Sequence, residues 1–410
     1  MAVRIGVEEE FHVLDTESGL LVPRADAVLG RLRLRPDFTA ELQRSAVEWN
    51  SGVHASLDSL HADVVKARLR LDAAASGLGL AVVAAGTVPL ARLTSGDATP
   101  DPRYRRMADE YRQVADEHLV CSAQVHVDVS DRDTAVRIMC AISPWLPPLL
   151  ALSASSPFWL GADTGYASWR AMLWQRWPTS GPAGCFAGAD EYDATVTDLV
   201  RSGVISDPGM IYYDVRPSDH QRTLELRICD ACPRAETVVL IAGLFRALVE
   251  DARARLEEPA RRGAHCDGRH EWLRAAGWRA ARAGLEGDLV HPATRLAAPA
   301  PAVLRDMLRR LRPALETAGD WDTVRGLVDE ALARGSAAHR LRGIVEEKGL
   351  PAGVGTLVAE TRGERRTGRA PKAARRPGPA LTTVRRTVAA ADAAPTRVAD
   401  PDWREETADG

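Results

Sequence analysis

The sequence predicts an α+β protein built on an antiparallel β-sheet. Three observations lead there. Short segments of strand pattern are scattered through the first 230 or so residues. Two of them, residues 211–216 and 223–228, are joined by PSDHQ, a turn-rich connection that favours an antiparallel pair. From residue 235 onward the apolar spacing turns helical. With 410 residues and 45% hydrophobic content, the chain can bury a sizeable core.

Residues 3–14 read as the first strand, with Ile5 and Val7 on one side and apolar residues resuming at Phe11 and Val13. Residues 23–33 read as a short helix and 41–49 as a second extended segment. Leu57, Leu60, Val64, Val65, Leu69 and Leu71 mark a helix over 57–78, ended by Gly77 and Gly79. Residues 80–88 resemble a central buried strand, and 103–118 a helix. In 122–129, Ala123, Val125, Val127 and Val129 alternate strictly with Gln124, His126 and Asp128, which puts the three polar residues on one strand face.

Residues 138–162 carry no charge and are long enough to span a bilayer. Pro144, Pro147, Pro148 and Pro157, with Ser143, Ser153, Ser155 and Ser156, favour a buried helix and loop instead. Helices are expected over 237–256, 272–285, 302–317, 321–333 and 337–347. One catalytic domain is expected over 1–360, and the Arg, Pro and Ala-rich residues 361–410 are expected to be disordered.

A net charge of -3 gives no pull toward nucleic acid or an acidic membrane surface, so neither is an expected partner. Six thinly spread cysteines and an N-terminus without an apolar signal region point to a cytoplasmic protein. Cys229 and Cys232 form a C-x-x-C, but without a βαβ context or a second pair it reads as structural. There is no GxxxxGK[ST] or GxSxG, and GLGLAVVAAG is too apolar and misplaced for a dinucleotide fingerprint.

The segment GVEEEF breaks the strand pattern. In a strand, Glu8 and Glu10 share a face at about 7 Å spacing while Glu9 points away, so two carboxylates lie side by side. That spacing suits two hard cations bridged by phosphate better than one caged ion, since magnesium takes one or two carboxylates plus substrate phosphates. Glu41, Glu48, His126 and Glu225 supply further ligand types, and Arg227 shares the strand face of Glu225. Alone, Glu8 and Glu10 read at least as well as a solvated strand face or ion pair, His126 reads better as a satisfied core histidine, and Glu225 with Arg227 reads as a cross-strand pair. Their joint occurrence on half-buried strands favours a metal and phosphate site.

GVEEEF, ELQRSAVEWNSG, QVHVDV, SPFWLGADTGYASWRAMLWQRWP and TLELRICD together resemble the carboxylate-amine ligase family, also called glutamate–cysteine ligase type 2, over about residues 3–360. The resemblance implies a curved antiparallel sheet flanked by helices, of the glutamine synthetase and guanido kinase kind, holding ATP and two or three Mg2+ ions. Carried over by motif, Glu8, Glu41 and Glu48 would hold one ion, and Glu10, His126 and Glu225 another. Arg227 would hold the γ-phosphate, with Glu225 beside it in catalysis. Arg170, Trp169 and Gln124 would bind substrate.

The implied reaction activates the γ-carboxylate of L-glutamate as an acyl phosphate, which the amine of L-cysteine then attacks. Another amine acceptor, a guanidino acceptor or a non-catalytic nucleotide-binding relative stays open, as does a homo-oligomer.

Overall fold

The structure, a computed structural model, describes residues 3–34, 36–94, 96–257 and 269–364. The expected disordered tail lies, from residue 365 on, outside the described residues. The strands are β1 (Ile5–Asp15), β2 (Phe38–Ala40), β3 (Ala46–Asn50), β4 (Leu80–Val83), β5 (Ala123–Asp128), β6 (Phe158–Trp159), β7 (Ala162–Asp163), β8 (Val215–Pro217), β9 (Thr223–Leu226), β10 (Asp288–Val290) and β11 (Ala297–Pro299). The helices are α1 (Ala25–Arg31), α2 (Leu57–Ser76), α3 (Pro102–Tyr111), α4 (Gln113–Asp116), α5 (Arg132–Ile142), α6 (Leu146–Ser153), α7 (Trp169–Trp174), α8 (Ala189–Arg201), α9 (Ala235–Glu257), α10 (His270–Ala283), α11 (Ala300–Ala318), α12 (Trp321–Arg334), α13 (Ala337–Lys348) and α14 (Leu350–Thr361).

Seven strands form the main sheet in the order β2-β3-β1-β5-β9-β8, with β4 added beside the second half of β1. Every pairing in it is antiparallel. The protein is therefore α+β with an antiparallel sheet, as the sequence predicts. Strand β1 is the centre because its odd positions are apolar: Ile5, Val7, Phe11 and Val13 face the helical layer and are buried. There they join Leu60 and Val64 of α2 and Val238, Leu244, Phe245 and Leu248 of α9 in one core. Each such side chain contributes roughly 1.5–3 kcal/mol on burial. Helix α9 is buried on nearly every face from Val238 to Val249, as a helix apolar all round must be.

The third glutamate of the opening strand belongs to this layer. Glu9 is fully buried and accepts two hydrogen bonds from Arg68 of α2, Nη2 to Oε1 at 2.5 Å and Nε to Oε2 at 3.2 Å. Arg68 also donates to the carbonyls of Cys232 and Pro233, each at 2.7 Å. Glu9 thus ties the sheet to the segment after β9, while its two neighbours face the other way.

Several boundaries differ from the sequence reading. Residues 41–49 are not one extended segment: a turn at 42–45 separates β2 from β3, which pair as a hairpin. The helix expected over 103–118 breaks at Arg112, whose φ is 48°. The strand expected over 80–88 stops at Val83. Beyond it, Gly86 lets the chain pass close to a buried carboxylate; a Cβ there would stand 2.6 Å from the carboxyl of Asp230. The stretch Arg132–Ser153 is long and apolar enough to cross a membrane, yet 83% of its most apolar window is buried inside the protein, and the 3-10 turn Ser143–Trp145 divides it into α5 and α6.

Candidate active site

The even positions of β1 carry Glu8, Glu10 and His12 onto the polar face. The register decides what each meets. Glu10 lies opposite Glu48 of β3, Glu8 opposite Gln124 of β5, and His126 opposite Glu225 of β9. Two groups of potential ligands result, each with one donor atom per residue within 4.8 Å of the others: Glu8, His126 and Glu225, and Glu10, Glu41 and Glu48. The expected partition is therefore corrected. Glu8 and Glu10 exchange places, because Glu10 sits directly across from Glu48, whereas Glu8 is one step diagonal from His126.

In the first group, His126 Nδ1 lies 2.9 Å from Thr223 Oγ1, which fixes the ring. Its Nε2 lies 3.1 Å from Glu8 Oε1, an ion pair while the ring is protonated and a ligand position for a divalent ion once it is not. Burial opposes charge on His126, but Glu8 and Glu225 outweigh it and hold its pKa above the usual value. Burial likewise opposes charge on Glu225; Arg227, Arg216 and His126 overcome this and bring its pKa down to about 2. Arg216 Nε donates to Glu225 Oε2 at 3.0 Å, and Arg227 donates to Oε1. This carboxylate is ionised and fully paired.

The second group is the opposite case. Glu41 lies just past β2, so the β2-β3 hairpin folds it back toward Glu48 on the same face. Burial, then the charges of Glu48 and Glu10, push the Glu41 carboxyl well above the usual range; burial and then Glu8 raise Glu48. Glu48 accepts from Asn50 Nδ2 at 2.9 Å. Glu10 is held by Ser122, from the backbone N–H at 2.7 Å and from Oγ at 2.6 Å. Three converging carboxylates repel one another and favour protonation or a divalent ion. An all-oxygen donor set fits a hard cation such as Mg2+, and the first group, two carboxylates and one imidazole, fits a second divalent ion.

Gln124 joins the two groups. Its Nε2 donates to Glu10 Oε1 at 3.2 Å, and its Oε1 accepts from Arg227 Nη1 at 2.6 Å. It is 3% exposed, so it acts here as a bridge rather than the substrate contact expected of it. Arg170 is corrected for the same reason. It is 2% exposed and donates to the carbonyls of Ile228 and Arg227, each at 3.2 Å, which makes it a brace for the Arg227 backbone. Trp169 is half-buried against Tyr166 at 5.4 Å, and its indole N–H is unpaired. Trp174 and Tyr212, 4.9 Å apart, lie under the Arg227 guanidinium at 5.9 and 5.8 Å.

Cys229 and Cys232 are buried and free, and burial pushes the Cys229 thiol up to about 12 and Cys232 well above its usual value. Neither is a reactive thiolate. The sequence reading missed Arg216, Ser122, Thr223 and Asn50. Arg216 was open to discovery, since an antiparallel hairpin around PSDHQ puts it opposite Glu225; the other three carry no signal without the register.

A model of glutamate-cysteine ligase family 2 matches residues 4–350. A Frankia casuarinae protein provisionally named glutamate–cysteine ligase 2-2 is 54% identical over 361 residues, 88% of this chain and 42% of that protein. One with the same provisional name from Mycolicibacterium smegmatis is 48% identical, with 87% of this chain and 89% of that protein covered. The chain thus spans less than half the length of the first relative and most of the second. Among solved structures, a glutamate–cysteine ligase from Francisella tularensis in complex with AMP superposes with a TM-score of 0.66 at 11% identity, covering 91% of each chain, which supports the fold.

Proposed function

The chain belongs to glutamate-cysteine ligase family 2, and on that premise we propose that it is an ATP-dependent carboxylate-amine ligase. The reaction joins the γ-carboxylate of L-glutamate to the amine of L-cysteine: ATP, glutamate and cysteine become γ-glutamylcysteine, ADP and phosphate. The observation that carries this reading is the pair of ligand groups on one sheet face, bridged through Gln124 to Arg227.

A carboxylate is a poor electrophile because its oxygen leaves badly. Transfer of the γ-phosphoryl group to that oxygen gives an acyl phosphate; attack by the amine then expels phosphate. No protein nucleophile is required. Mg2+ held by Glu8, His126 and Glu225, and by Glu10, Glu41 and Glu48, would offset phosphate charge during transfer. Arg227, kept protonated by Glu225 and Glu8, supplies a fixed cation for the transferring group. Glu225 and Gln124 hold that guanidinium in place, and Arg170 fixes the backbone behind it. Trp174 lies under the guanidinium and shields that side of it from water. A cytoplasmic location suits a reaction that consumes ATP.

The test is phosphate release from purified protein with Mg-ATP and L-glutamate, adding cysteine or other amines singly, with mass spectrometry of the product. Cysteine-dependent release with γ-glutamylcysteine formed, and a loss of about 100-fold or more in Glu10→Gln and Arg227→Gln, is expected. Turnover with a different amine alone would replace the acceptor; ATP binding with no turnover for any amine would sink the ligase reading.

A further inference from the structure

On the helical side of the molecule three guanidinium groups converge on one small cavity. Arg234 immediately precedes α9, Arg334 ends α12 and Arg340 lies in the first turn of α13; Ser153, Cys232 and Thr237 complete part of the wall. Their partners are unequal. Arg340 is satisfied by Glu360, at 2.9 and 3.1 Å, and by the carbonyl of Gly335 at 2.9 Å. Arg234 reaches Glu236 at 3.3 Å, and its Nε is buried without a hydrogen bond. Arg334 has no ion pair or hydrogen bond among the described residues, and its Nε too is buried.

This is an unfavourable arrangement by itself. Burial, then the like charges of Arg340 and Arg234, bring the Arg334 guanidinium down to about 10, with Glu360 and Glu236 only partly countering. Buried N–H donors without acceptors cost free energy, and so do three cations facing one another. One negative ion in the cavity removes both costs. The space is about that of one water molecule, so an anion would seat one atom in it and keep the rest at the cavity mouth. The N-terminal end of α9, a 23-residue helix whose Thr237 lines the cavity, adds partial positive charge.

We propose that Arg334, with Arg234 and Arg340, binds a small inorganic anion, chloride or phosphate, at a site separate from the polar sheet face. The site touches the rest of the protein at a sensitive point: the Cys232 and Pro233 carbonyls beside Arg234 are those that Arg68 holds while it pairs Glu9.

The experiment is thermal unfolding of the full chain, without ATP or Mg2+, in sodium gluconate, chloride or phosphate at equal ionic strength and pH 7. A saturable rise in melting temperature of about 2 °C or more over gluconate is expected in chloride or phosphate, and the more effective of the two names the ion. The rise persists in Arg227→Gln, which removes the other phosphate-binding candidate, and vanishes in Arg334→Gln. In gluconate, Arg334→Gln melts higher than the parent, because a repelling charge has gone. The proposal is overturned if the parent shows no anion dependence, if Arg334→Gln keeps the parent's response, or if Arg334→Gln melts lower or fails to fold in gluconate.

Discussion

At the level of single residues, the two ligand groups differ in how they treat protons. Glu41 and Glu48 have raised pKa values in the folded protein. A raised carboxyl pKa means the folded chain binds protons more tightly than the unfolded one, so the metal-free protein loses stability as pH climbs from about 4.5 through the raised values. A divalent ion competes for the deprotonated form. The stabilisation gained on adding Mg2+ should therefore grow as pH rises above about 5, as read from melting temperatures with and without Mg2+. Glu41→Gln should flatten that growth; an Mg2+ effect independent of pH would contradict the assignment. The sequence showed the residue types of both groups but not their partition. Strand alternation tells which residues share a face, whereas grouping across strands depends on register, and the register of β1 against β3 and β5 is set by a hairpin and long connections that periodicity does not reveal.

At the level of elements, β1 works with both faces. Its polar face presents Glu8 and Glu10, and the other face fixes the strand through Glu9 and Arg68, which are 0% and 3% exposed. Replacing one partner leaves a buried charge uncompensated. Arg68→Met should destabilise the protein by about 3–5 kcal/mol in urea unfolding, and Glu9→Leu combined with Arg68→Met should recover much of that loss. A double variant no better than the single would show that Arg68 matters through the Cys232 and Pro233 carbonyls instead. The alternation of the opening strand made legible that Glu9 faces away from Glu8 and Glu10; its partner, 59 residues away on α2, was not. Likewise Arg170 was legible as a guanidinium near aromatic residues, but its burial behind Arg227 follows from how α7 docks, which the sequence does not state.

At the level of the whole molecule, the order of strands before helices sufficed for an α+β fold with an antiparallel sheet, and motifs spread over nearly the whole described chain sufficed for the family. Boundaries were less legible, as at Arg112 and after Val83, where a positive φ and a close approach to Asp230 end elements whose side-chain pattern continues. The two ligand groups on one sheet face would make two divalent-ion sites. The most direct measurement is Mn2+ binding followed by electron paramagnetic resonance, with a non-hydrolysable ATP analogue present, in the parent, Glu225→Gln and Glu41→Gln. At least two ions should bind per parent chain, with loss or at least 10-fold weakening of one in each variant and a different one in each. A single ion in the parent, or the same ion weakened by both substitutions, would contradict the two-site assignment.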